Sequence, residues 1–172
     1  LARQAKTAGD LDLALDHLTR ATRDFEKAGS SRDIAIARGA VADILQARGR
    51  LDEALRIRTE EVLPVFERLG DVRSKAVTLG EVADILQARG QLDKALRILC
   101  GSPAEVIWWG ANYDDMLTYP PYFEAEITPW IRKASRQLGA VGKRVMGHTD
   151  GENEGLMDLI RDSGMHIAES IC

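Results

Sequence analysis

The sequence predicts an α-helical solenoid of helix–turn–helix repeats followed by a β-α-β-α-β segment. Three observations predict it. A 17-residue stretch occurs twice almost unchanged, the composition shifts near residue 100, and short β-forming runs then alternate with helically spaced ones.

The repeat comes first. VADILQARGRLDEALRI (41–57) and VADILQARGQLDKALRI (82–98) differ only at Arg50/Gln91 and Glu53/Lys94. A weaker copy, Gly9 to Leu15, lines up with Gly49 to Leu55, so glycines fall at 9, 49 and 90. Val41, Ile44, Leu45 and Arg48 recur at i, i+3, i+4 and i+7, which makes one helical stripe. Gly49 permits the left-handed conformation that ends a helix, and Leu51, Ala54, Leu55 and Arg58 begin a second stripe. The expected unit is helix, glycine turn, helix, with turns at Gly9, Gly49 and Gly90. Asp33 and Asp71 stand where following helices need an N-terminal carboxylate. No unit buries its face alone, so neighbours stack.

Pro64 interrupts the pattern. Leu15 and Leu55 are 40 apart, whereas Phe25 and Phe66 are 41 apart, so one residue was gained between Leu55 and Phe66. Proline in a helix loses a hydrogen bond and crowds the preceding turn. A local bulge or kink is expected there.

After Leu99 the repeat fails. Ala104 to Trp109, between Pro103 and Gly110, reads as a buried strand. Phe123 to Leu138 has helical spacing, with Pro129 near its start. Arg144 to Met146 reads as a strand, Leu156 to Ile160 as a short helix closed by Gly164, and Ile167 to Ile171 as a third strand. That order implies parallel pairing. Ligand sites of such units form at the C-terminal strand ends. Those ends carry Asn112 and Asp114, His148 and Asp150, and Glu169, the candidate substrate-binding residues. Turn chemistry alone also favours Asn, Asp and Gly there. His166 reads as structural.

Charge separates the two parts. Residues 1–100 hold 17 Lys+Arg and 16 Asp+Glu, whereas the remainder holds 6 and 11. Neither has the basic excess that binding a phosphate backbone requires, so nucleic acid is excluded as a partner. No apolar run approaches the ~20 residues of a membrane span, and the start lacks a signal-peptide core. Cys100 and Cys172 form no metal-type spacing, and no metal or other cofactor is expected. A cytoplasmic location with reduced thiols follows as the default.

Two resemblances extend this reading. ADILQARGRLDEAL and ADILQARGQLDKAL resemble the tetratricopeptide repeat family, in its longer-period variety, over residues 1–99. The resemblance implies protein or peptide binding on a concave face. In the second domain, residues 100–172, VIWWGANYDDMLTYPPYFEAEITPWIRKASRQL and GKRVMGHTDGENEGLMDLIRDSGMHIAESIC resemble the uroporphyrinogen decarboxylase superfamily over about 103–172. Its members include porphyrin-biosynthesis decarboxylases and corrinoid-dependent methyltransferases on a (β/α)8 barrel. The match implies a βαβαβ fragment of that barrel, lacking the early segments that carry the family's catalytic aspartate and arginines. It also implies a porphyrinogen or methylated small molecule as ligand of a longer protein. The methyltransferases' His-x-Cys zinc motif is broken here by Asp150.

Three readings stay open. The chain is a repeat scaffold joined to an incomplete decarboxylase-like segment and inactive alone, a fragment of an active enzyme of that type, or an artificial joining near residues 99–102. The start at Leu1 and the open sheet edges of a βαβαβ piece favour a truncated sequence.

Overall fold

A computed structural model describes residues 8–113, 118–149 and 153–169. Within them the chain is mostly helical, with one small three-stranded parallel sheet. It divides into two units, Leu1–Ala95 and Leu96–Cys172.

The first unit is built from the repeated stripes. Helix α1 (Ala8–Ala28) packs on α2 (Ser31–Ala47). Next comes one long helix in three parts: α3 (Leu51–Arg56), a π-helical segment π1 (Ile57–Val62) and α4 (Leu63–Leu69). Helices α5 (Val72–Ala88) and α6 (Leu92–Gly101) follow, α6 running across the division between the units. Gly49 and Gly90 end their helices with φ of 73° and 69°, as the duplicated motif predicts. Gly29 and Gly70, also 41 apart, do the same with φ of 71° and 64°. The expected turn at Gly9 is not there, because Gly9 lies inside the first turn of α1. Glycine costs a helix only about 1 kcal/mol, and its neighbour Ala8 is the best helix former.

Small residues set the spacing of these helices. The core gathers Ala35, Ala42, Leu45, Ala54, Ile57, Val62, Phe66 and Ile85. Ala54 and its repeat partner Ala95 are completely buried. Ala54→Leu should therefore destabilise by about 1–3 kcal/mol through overpacking. An unchanged urea midpoint would contradict this close approach.

Pro64 sits in the first turn of α4, directly after π1. A π-turn carries one residue more than the α-turn it replaces, and it leaves free the backbone acceptor that proline cannot pair. The extra residue between Leu55 and Phe66 thus enters without shifting the helices that follow.

Both expected N-terminal carboxylates are in place. Asp33, in the first turn of α2, accepts from Ser30 Oγ at 2.5 Å. Asp71 caps α5, accepting from Ser74 N at 3.0 Å and Ser74 Oγ at 2.8 Å. The Ser74 backbone N–H, helped by its hydroxyl, holds the Asp71 carboxyl below the usual range. A carboxyl depressed by folding stabilises above its unfolded pKa, and that contribution is lost as pH falls through the folded one. The stability gap between the wild type and Asp71→Ala should accordingly shrink on acidification below about pH 4. Urea midpoints measured at several pH values would show it; a gap independent of pH would mean that the charge is idle.

The second unit contains β1 (Val106–Asn112), α7 (Pro120–Tyr122), a second π segment π2 (Phe123–Ile127), α8 (Thr128–Gly139), β2 (Arg144–His148), α9 (Met157–Asp162) and β3 (Ile167–Glu169). The sheet is parallel in the order β1-β2-β3. Lys143, entering β2, donates to Ser102 O and Ala104 O at 2.6 and 2.7 Å, tying the starts of two strands together. Pro129 falls in the first turn of α8, whose Ile131, Ala134 and Leu138 are buried.

One expectation needs correction. The apolar run before Gly110 does not form a strand buried on both faces. Ile107 and Trp109 are buried, as is Val145, but Val106 and Trp108 are 43% and 50% exposed. Two right-handed crossovers stepping the same way put both helices on one side of a sheet. On the other side stand Trp108, half exposed, and Met146 and His148, both partly buried. Among the described residues, no helix is long and apolar enough to cross a membrane.

Candidate functional site

The strand ends form the first candidate. Register pairs Asn112 with His148 and His148 with Glu169, so three of the five predicted residues stand in line at one end of the sheet. Asn112 is placed by its backbone alone. Asp114 and Asp150 lie outside the described residues.

A bulge in β1 makes this alignment. Trp108 pairs with Met146 and Asn112 with His148, so β1 uses four residues where β2 uses two. Gly110 occupies the bulge at φ 102°, a conformation closed to other residues. A Cβ there would overlap the Tyr113 hydroxyl and come within 2.8 Å of Tyr113 Cζ. Tyr113 turns inward, buried, with its ring edge-on to Phe123 at 5.2 Å. Its N–H donates to His148 O at 3.0 Å and fixes the strand end.

His148 Nδ1 lies 2.6 Å from Glu169 Oε2. A carboxylate only accepts, so the proton sits on Nδ1. The indole of Trp108 approaches the imidazole, with ring centroids 5.5 Å apart. Thr149 closes the corner, its N and Oγ1 donating to Glu169 O at 3.0 and 2.7 Å. A carboxylate-oriented imidazole beside an aromatic face can bind a flat or anionic ligand and move a proton. His166 is structural, as expected: its N–H donates to Val145 O and its Nδ1 accepts from Val145 N. Among the described residues, no group of three His, Cys, Asp or Glu is placed to hold a metal.

The second candidate is a groove of about 430 Å3 in the first unit, lined chiefly by α2 and α5. Arg32 Nη2 reaches Asp71 Oδ2 at 3.3 Å, so the two helices start side by side. Further along, Asp43 of α2 and Glu81 of α5 both pair with Arg58, which rises from π1 beneath them. Ile36 and Val77, 41 apart, are 47% and 54% exposed. The repeat therefore presents an apolar side chain at the same place on each helix.

Arg58 is 1% exposed. Its terminal nitrogens bond Asp43 and Glu81, while Nε has no partner. Partial burial raises the carboxyls of Asp43, Glu81 and Asp84 above the ordinary range, and the attraction of Arg58 only offsets this. For Glu81, the neighbouring Asp43 and Asp84 push the same way.

Two participants lie outside the residues that the sequence pattern singles out. Trp108 falls within an apolar run, and such a run does not reveal which sheet face is covered. Arg58 continues the stripe of Leu51, Ala54 and Leu55; an arginine in that position, with an aspartate repeating at 43 and 84, is the available signal.

No protein-family model, curated protein or solved structure matches this chain.

Proposed function

We propose that residues 1–99 form a tetratricopeptide-like solenoid that binds a protein or peptide segment in the α2–α5 groove, joined to an incomplete decarboxylase-like barrel segment that is inactive alone. The observation that carries this is the repetition of exposed apolar side chains, Ile36 and Val77, along one open groove. Exposed apolar groups in a concavity favour association. Two substitutions test it. An immobilised peptide array probed with the chain should retain ligands that Ile36→Glu with Val77→Glu loses, while the melting curve stays two-state. An array that retains nothing, or ligands indifferent to both changes, would remove the proposal.

The alternative, a piece of an active uroporphyrinogen decarboxylase-type enzyme, is favoured by one feature of the second unit. Parallel strands in sequential order, with Trp108, Met146 and His148 together on one face, fit what a strand set from a closed barrel presents inward. On this reading His148 and Glu169 line a small-molecule site. Titrating the His148 imidazole by NMR with and without a porphyrinogen tests it: a moved titration midpoint is expected, and superimposable curves would reject it.

A further inference from the structure

Resting on the groove reading above, we propose that the α2–α5 groove selects an extended segment with an acidic side chain on one side of an apolar one and a basic side chain on the other. The two ends of the groove differ in charge. At the helix starts lie Arg32 and Arg73, with only Asp71 against them. Asp71 is already engaged by Ser74, and Arg73 has no partner among the described residues. Further along, Asp43 and Glu81 pair with Arg58, and Asp84 lies within electrostatic reach of both Arg58 and Glu81.

Three carboxylates against one guanidinium leave an excess of two negative charges. Arg58 is buried below them, so an incoming group meets the carboxylates rather than the guanidinium. A lysine or arginine of the partner supplies the missing counter-charge there. An aspartate or glutamate answers Arg73 at the other end, and Ile36 with Val77 receive the apolar residue between them. Charges placed this way set register as well as affinity.

Helix geometry gives the spacing. At 1.5 Å per residue, Ile36 stands about 6 Å along α2 from Arg32, and Asp43 about 10 Å further. An extended chain advances about 3.3 Å per residue, so the acidic residue falls two before the apolar one. The basic residue falls two to four beyond it, its long stem taking up the difference. The order read along the groove is acidic, apolar, basic.

Fluorescein-labelled Glu-Ala-Leu-Ala-Ala-Ala-Lys and its reversed sequence, titrated with the purified chain and read by anisotropy, test this. One order should bind, and replacing its lysine by glutamine should weaken it at least tenfold. Asp84→Asn, which leaves both partners of Arg58 intact, should weaken it less, by a few-fold. Arg73→Glu should reject the glutamate peptide and accept one with lysine in that place. Peptides that bind with equal affinity whatever their charges would overturn the charge selection and leave the peptide-binding reading standing. No binding by either order, while an array still retains other peptides in the groove, would also overturn it; silence in both experiments removes the two readings together. A dimer in sedimentation that Arg73→Glu dissolves would assign the groove to a second copy and overturn it as well.

Discussion

Arg58→Ala is expected to lower the unfolding free energy by about 3–5 kcal/mol, the usual effect of breaking a buried ion pair by removing one partner. The substitution takes a fully buried side chain from beneath α2 and α5 and leaves a void under the groove. It also deprives Asp43, Glu81 and Asp84 of the attraction of Arg58. Two controls separate these causes. Arg58→Met keeps most of the packing volume and so reports the charge loss. Adding Asp43→Asn and Glu81→Gln to Arg58→Met removes the mutual repulsion and should recover part of the stability. An unfolding free energy for Arg58→Ala within about 1 kcal/mol of wild type in urea titrations would mean that the carboxylates turn out to solvent without difficulty.

Gly110→Val should be damaging as well, by about 2–5 kcal/mol. Forcing a branched residue to positive φ costs about 1–2 kcal/mol, and overpacking adds about 1–3. Here the φ is 102°, and the new Cβ would run into the Tyr113 ring, which is itself clamped against Phe123. Tyr113→Phe removes the first atom met, yet Cζ still lies 2.8 Å from the added carbon. A double-mutant cycle of Gly110→Ala with Tyr113→Phe should therefore show positive coupling short of full rescue. Additivity would place the strain in the backbone alone.

The repeats were legible because one physical cause writes itself twice. A stripe that must be buried and a glycine that must turn recur at a fixed distance, and Ala54 and Ala95 sit where that stripe puts them. The extra residue and Pro64 together announced a helix irregularity, which is the π segment. Gly29 and Gly70 carried the same 41-residue signal but lie outside the near-identical stretch. Gly9 misled for the opposite reason, since its surroundings copy the following helix and not the turn before it. In the second part the strand order fixed which residues share an end, and so Asn112, His148 and Glu169 align. What the pattern did not contain was the bulge at Gly110, the face on which Trp108 emerges, and the depth of Arg58. Each depends on what a distant segment covers.

The adjacent indoles Trp108 and Trp109 make the sheet its own optical reporter. They differ by one position and look to opposite sides, one half exposed and one at 3% exposure. Acrylamide should quench the first and spare the second, with Trp130, partly exposed under the Lys133 ammonium, as a fixed background. Because Trp108 lies against the His148 ring, its emission should also follow protonation of that imidazole. Whatever settles on the open face of the strands will darken or brighten one identifiable chromophore, and Trp108→Phe supplies the blank.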